Sequence, residues 1–270
     1  ILILGYSDIS ERRIIPALNK FDEISSIEIA SKSKEVKSLD KIEKTYTSYE
    51  KAIENSDCDI VYISLPNSLH FDYGKKSLIN DKNIIIDKPA ILNESEFKEL
   101  NDLAKKHSLF ISQSCVFQHH KAWNEFKKYA KQYNHGILTA SFLIPELNSK
   151  NFRMSNKLGG GAINDLGIYA SESGRNFWGN SAKSFSIADV SKPKSIVNLG
   201  FTGKGNYGDG KEAIFEFGFN REYKNKITFV SDEVLISYER VFSPPEDFKT
   251  SLTVNNNGME ENIDTGVDDT

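Results

Sequence analysis

The chain opens on a continuous apolar run, Ile1 to Leu4, that stops at Gly5. From Ile9 to Phe21 the apolar positions Ile14, Leu18 and Phe21 recur at helical spacing, so the opening predicts strand, turn and helix. Short apolar runs at Ile24 to Ala30, Asp59 to Leu65, Asn83 to Asp87 and Leu109 to Ser112 predict four further strands, with helical stretches between them. The clearest helix is predicted over Asn93 to Lys106. Asn93 can cap it, Glu96 completes a capping box three residues on, and Phe97, Leu100, Leu103 and Ala104 share one face. Alternating strands and helices imply an α/β arrangement around a parallel, doubly wound sheet.

The grammar changes after Gln113. One helical stretch, Ala122 to Gln132, is followed mainly by strand-like runs at Ile137 to Ile144, Ser184 to Val190, Ser195 to Phe201, Ala213 to Phe219, Lys226 to Val230 and Val234 to Tyr238. Runs of this kind pair as antiparallel neighbours. The Gly-rich, polar stretch Thr202 to Gly210 reads as a hairpin loop between two of them rather than a phosphate cradle. At 270 residues the chain exceeds one ordinary compact domain. We therefore expect two domains, 1–114 and 115–270, the second an α+β unit with a mostly antiparallel open sheet.

Composition narrows the class of partner. An apolar fraction of 39% with 17 Phe and 11 Tyr is ample for packed cores. A net charge of -4 with both signs interspersed offers no basic face for nucleic acid, so a small ligand fits better. No apolar run approaches the ~20 residues of a membrane span, and no basic segment with an apolar region opens the chain. Cys58 and Cys115 read as reduced thiols, so a cytoplasmic location is expected. The opening on Ile1 without an initiator Met, and the polar ending Asn262 to Thr270, lead us to expect short further pieces at both ends.

The first turn, Gly5-Tyr6-Ser7-Asp8-Ile9-Ser10, stands where a dinucleotide fingerprint would stand but keeps only its first glycine. Gly5 permits the tight turn, and free N–H groups opening the helix attract a pyrophosphate; a side chain at Ser7 then has to be accommodated. The alternative is that Ser7 or Asp8 simply caps a helix. Where dinucleotide folds that prefer NAD place Asp or Glu, the second strand ends Ala30-Ser31-Lys32-Ser33. A carboxylate ~4 Å from a 2′-phosphate costs about 1 to 4 kcal/mol, whereas Ser31 and Lys32 can donate to it. NADP is therefore expected over NAD, with Lys32 as a solvated lysine the competing reading.

The runs Pro66-Asn67-Ser68-Leu69-His70, closing one strand, and Asp87-Lys88-Pro89, closing the next, resemble the glucose-fructose oxidoreductase and inositol dehydrogenase (Gfo/Idh/MocA) family, whose second motif is Glu-Lys-Pro. The Asp is one methylene shorter than that Glu. The stretch Leu158-Gly159-Gly160-Gly161-Ala162-Ile163-Asn164-Asp165-Leu166-Gly167-Ile168-Tyr169 is similar to the family's second-domain motif, with Tyr169 where many members carry His. A Tyr there resembles the branch of glucose-fructose oxidoreductase, dihydrodiol dehydrogenase and nucleotide-sugar 3-ketoreductases. Asp8 to Arg13 and Arg240 to Pro245 are similar to the ketoreductase branch.

The resemblance implies a Rossmann dinucleotide-binding domain over 1–114, a substrate-binding and oligomerisation domain over 115–270, and a homodimer or homotetramer formed through the C-terminal sheet. It implies Lys88, Tyr169 and Asp165 as catalytic residues. It implies Gly5, Ser7, Asp8, Ile9, Ser31, Lys32, Pro66, Asn67, His70, Asp87 and Lys88 around NADP or NAD. Gln118, His119, Arg153, Asp165 and Tyr169 would face a sugar-like substrate. Tyr169 would give a proton to the carbonyl oxygen that receives charge, with Lys88 binding that oxygen or lowering the phenol's pKa from its usual ~10. Arg153 could clasp a diphosphate or anchor a loop to a carboxylate, both open at this point. His119 and His120 adjoin, but neighbours on a helix point about 100° apart, so no metal is expected. A non-catalytic regulator on the same fold, similar to a yeast galactose-pathway repressor, is the rival reading. The pair Lys88 and Tyr169 favours an enzyme.

Overall fold

The computed structural model describes residues 1–37, 41–192, 194–245 and 247–267. It divides into two compact units, Ile1–Ser114 with Lys157–Gly159, and Cys115–Asn156 with Gly160–Thr270.

The first unit runs β1 (Leu2–Leu4), a wide helical turn over Ser10–Ile14 continuing into α1 (Ile15–Asn19), β2 (Ile27–Ala30), β3 (Ile42–Tyr46), α2 (Tyr49–Asn55), β4 (Ile60–Ile63), α3 (His70–Ile79), β5 (Asn83–Asp87), α4 (Glu94–His107) and β6 (Ile111–Ser114). The six strands are all parallel in the order β3-β2-β1-β4-β5-β6. The order reverses between β1 and β4, and open sheets of this kind bind ligands at that point, beyond the strands' carboxyl ends. Alternation divides the core by face. Leu2, Leu4, Val61, Ile63, Ile84 and Ile86 pack on one side, and Ile3, Ile29 and Tyr62 on the other.

Asn93 caps α4 by accepting from the Glu96 amide at 2.9 Å, and Ser108 ends it in the left-handed region. The helix expected over Ile9 to Phe21 is corrected to a π-type turn and a five-residue α-helix, and Phe21 is exposed rather than on the buried face. The sequence reading missed β3 because its middle residues, Glu43, Lys44 and Thr45, are all exposed on an edge strand.

The second unit contains α5 (Lys121–Ala130), β7 (Gly136–Leu143), α6 (Ala162–Trp178), β8 (Ser184–Asp189), β9 (Gly200–Gly208), β10 (Lys211–Gly218), β11 (Lys224–Val230), β12 (Val234–Glu239), β13 (Lys249–Asn256) and β14 (Met259–Val267). Its sheet has the order β14-β13-β12-β11-β7-β10-β9-β8, antiparallel at every junction except β7 with β10. One face, with Leu138, Ala140, Phe142, Phe215, Phe217, Ile227, Phe229 and Ile236, shares a core with Trp123 and Phe126 of α5 and Leu166 and Ala170 of α6.

Two expectations are corrected in this unit. The strand placed at Ser195 to Phe201 begins only at Gly200, and the loop placed at Thr202 to Gly210 is the body of β9 followed by a two-residue hairpin turn at Asp209 and Gly210, both with positive φ. Glycines inside a strand mislead by looking like a loop. Here Gly205 leaves room for neighbouring rings, since a Cβ there would meet Tyr207 at 3.0 Å and Phe185 at 3.3 Å. Much of the polar ending Asn262 to Thr270 belongs to β14, and its last three residues lie outside the described residues.

Candidate active site

At the end of β1 the chain turns at Gly5, whose φ is +98° and whose amide bonds Ala30 O at 2.9 Å. A Cβ there would lie 2.3 Å from Ser64 O, so only glycine fits between β1 and the end of β4. The side chain at Ser7 folds back: its hydroxyl lies 2.8 Å from Ser64 Oγ and accepts from the Ser10 amide at 3.1 Å. Ser7 thus caps the turn and keeps the mouth open without the second glycine. Asp8 and Ile9 are exposed beside it. This bare turn at the switch point fits a dinucleotide.

Ser64 links the turn to the Asp87-Lys88-Pro89 motif. The Asp87 carboxylate accepts from Ser64 Oγ at 2.7 Å and from Tyr62 OH at 2.5 Å. Burial, reinforced by the Asp87 charge, pushes the Tyr62 phenol far above its ordinary value, so Tyr62 serves as a fixed donor. The shorter Asp side chain is therefore occupied with its own sheet, and it fixes the β5 end from which half-buried Lys88 departs.

His70 is completely buried, with Nδ1 2.8 Å from Pro89 O and Nε2 2.8 Å from Leu65 O. Its ring joins the loops after β4 and β5. Asn67, next to the half-buried Pro66, is also buried, and its Nδ2 donates to Gly159 O at 2.9 Å. Both residues position the loops.

At the end of β2, Ser31 Oγ donates to Lys34 O at 2.5 Å and accepts from the Lys34 amide at 3.2 Å. Lys32 extends toward α2 and α3, where its Nζ lies 3.6 Å from Glu50, 3.3 Å from Tyr73 OH and 4.5 Å from the centre of the Tyr49 ring.

In the second unit, Tyr169 projects from α6 into a cluster of rings. Phe242 lies 4.8 Å from it, and Phe117 and Phe142 each lie 5.9 Å away. Phe242 belongs to the Arg240 to Pro245 segment, which buried Asn225 holds by accepting from the Arg240 amide at 2.7 Å through its main chain and from the Phe242 amide at 3.1 Å through Oδ1. The sequence reading missed Asn225 and Phe242 as supports of Tyr169, since only contacts reveal them.

Asp165, one turn before Tyr169, is 2% exposed and paired with Arg153 Nε at 2.9 Å. The Arg153 guanidinium also covers the Phe152 ring at 4.6 Å. Of the two readings of Arg153, the contact present is the loop anchor. The glycine loop makes its close approach to this anchor: a Cβ on Gly160 would lie 2.4 Å from Arg153 O, and the Gly161 amide bonds that oxygen at 2.8 Å.

Gln118 is engaged with α6, its amide donating to Glu172 at 3.3 Å and accepting from Asn176 Nδ2 at 3.1 Å, while His119 is exposed. Among the described residues no group of three His, Cys, Asp or Glu side chains is placed to hold a metal, and no helix is long and apolar enough to cross a membrane.

Comparison with known proteins adds to this geometry. Residues 1–114 match the model of an oxidoreductase family with an NAD-binding Rossmann fold. The dTDP-3,4-didehydro-2,6-dideoxy-alpha-D-glucose 3-reductase of Saccharopolyspora spinosa is 25% identical over 99% of this chain and 82% of its own length. The enzyme of the same name from Streptomyces violaceoruber is 27% identical over 97% of this chain and 79% of its own length. A crystal structure of a 3-ketoreductase from Actinomadura kijaniata with NADP and TDP-benzene superposes with a TM-score of 0.90 at 22% identity, covering 99% of this chain and 84% of that one, which shows a shared fold.

Proposed function

We propose, from the match of residues 1–114 to the Gfo/Idh/MocA oxidoreductase family, that this chain is a reductase acting on the carbonyl of a sugar or nucleotide-sugar. More finely, we propose NADP as the preferred dinucleotide and a nucleotide-linked keto-sugar as the substrate. The observation that carries the reading is the Gly5 turn tied through Ser7 and Ser64 to Asp87, immediately before Lys88. Similarity over nearly the whole of this chain to dTDP-sugar 3-reductases supports the substrate class, and the carboxylate-free end of β2 supports NADP.

Gly5, Ser7, Asp8 and Ile9 would hold the dinucleotide's phosphates, and Ser31 and Lys32 would lie toward its ribose. Pro66, Asn67, His70 and Asp87 keep the surrounding loops in place. When bound, the nicotinamide supplies the hydride. Tyr169 hands a proton to the substrate's reacting oxygen, and Lys88 holds that oxygen's developing charge. The ring cluster fixes the phenol's direction. Asp165 acts through Arg153 as a positioning residue, and Gln118, His119 and Arg153 contribute to the substrate side. We also propose a cytoplasmic setting, which suits Cys58 and Cys115 as reduced thiols. We also propose a homodimer or homotetramer through the second unit's sheet.

Calorimetric titration tests the reading. NADP should bind more tightly than NAD, and the NADP-loaded protein should bind a TDP-linked sugar more tightly than any free sugar. No dinucleotide binding would overturn it. Tighter binding of a free sugar would return the substrate to an aldose or polyol.

A further inference from the structure

The segment after β2 sends two lysines to different partners. Lys32 turns to Glu50 and Tyr73, whereas Lys34 turns to the first helical turn. The Lys34 amine donates to Glu11, lies 3.8 Å from Asp8 and sits 4.9 Å above the Tyr6 ring. Lys37 takes the other Glu11 oxygen at 2.7 Å. The Ser31 hydroxyl closes the turn that brings Lys34 back, and the Ser31 amide is anchored to Tyr46 O at 2.9 Å. The cluster thus stands between the Gly5 turn and the end of β2, where this fold receives the adenosine ribose.

Resting on the dinucleotide reading above, we infer that Lys34 with Lys37 reads the 2′-phosphate, and that Glu11 is a built-in carboxylate occupying the phosphate's place. The ribose phosphate of NADP has to displace Glu11 from the two amines, whereas NAD, with a 2′-hydroxyl, leaves the cluster closed. The arrangement restrains selectivity. Two lysines face two carboxylates, Glu11 and Asp8, so the closed cluster presents no net positive charge to an incoming anion. Losing the Glu11 charge would leave one cation uncompensated. Lys34 first and Lys37 second hold the Glu11 carboxyl down at about 2, so the competing anion is fully charged near neutrality. Ser31 accordingly shapes the site through the turn it closes.

The test is fluorescence or calorimetric titration of NADP and NAD against the parent, Glu11→Gln, Lys34→Ala and Lys32→Ala, each checked for folding by a thermal melt. Glu11→Gln should tighten NADP by about 10-fold and change NAD by less than about 2-fold. Lys34→Ala should weaken NADP by about 10-fold, and should lower the NADP to NAD preference more than Lys32→Ala does. An unchanged NADP to NAD ratio in Glu11→Gln, with both dinucleotides still bound by the parent, overturns this inference and leaves the functional reading standing. A larger loss in Lys32→Ala than in Lys34→Ala also overturns it. If the parent binds neither dinucleotide, the functional reading fails and the inference with it. Lys34→Ala keeps the test decisive if Glu11→Gln does not fold.

Discussion

Asp165 gives up nearly all its contact with water on folding, and Arg153 Nε at 2.9 Å offsets part of that cost. Removing the cation alone should be worse than removing both charges. Arg153→Ala is expected to destabilise the protein by about 2 to 3 kcal/mol, below the usual cost of breaking a fully buried pair because Arg153 keeps some exposure to solvent. Adding Asp165→Asn should recover most of the loss. Urea unfolding of the single and double variants measures both, and a double variant no more stable than Arg153→Ala would show that the ion pair is not what the arginine supplies. The sequence left Arg153 open between a diphosphate and a carboxylate. Twelve positions separate the partners, and the intervening glycines show that the backbone can turn sharply without showing where it turns. At Ser7 the residues were more informative: the sequence required an accommodated side chain, and the structure accommodates it on Ser64 and Ser10.

At the scale of elements, legibility followed solvent. The buried parallel strands and α4 declared themselves through apolar runs and a capping box. The exposed edge strand β3 and the polar β14 carried no such signal, and the glycines of β9 imitated a loop. The start of α6 was hidden for another reason. Its cap, Asn198, is distant in sequence and accepts from the Ile163 amide at 2.9 Å, with its main-chain oxygen taking the Ala162 amide at 2.8 Å. The large sheet has one face on the helices. On its other face Ile137, Val230 and Leu235 are cross-strand neighbours, each about two-fifths exposed, and Ile214 lies close by. An apolar row of this kind suits a self-complementary contact. Light scattering should therefore give two or four times the chain mass, and Val230→Lys should lower it to that of one chain. A monomeric parent would remove the proposed assembly.

At the scale of the whole molecule, the parallel first sheet and the division into two kinds of sheet were legible because hydrophobic period changes after Gln113. The candidate acting side chains came only through resemblance, since nothing in the periodicity separates Lys88 or Tyr169 from other lysines and tyrosines. His70 adds what resemblance alone does not give, since its contacts with Pro89 O and Leu65 O appear only in the structure. The central claim is reduction of a sugar-type carbonyl with proton transfer by Tyr169 and Lys88. The direct measurement is stopped-flow consumption of NADPH with a TDP-linked keto-sugar at saturation, for the parent, Tyr169→Phe and Lys88→Met. The account predicts rapid consumption by the parent and a fall of at least ~10²-fold in each variant with dinucleotide binding retained. It is contradicted if the parent binds both ligands and consumes no NADPH, or if both variants turn over at the parent's rate.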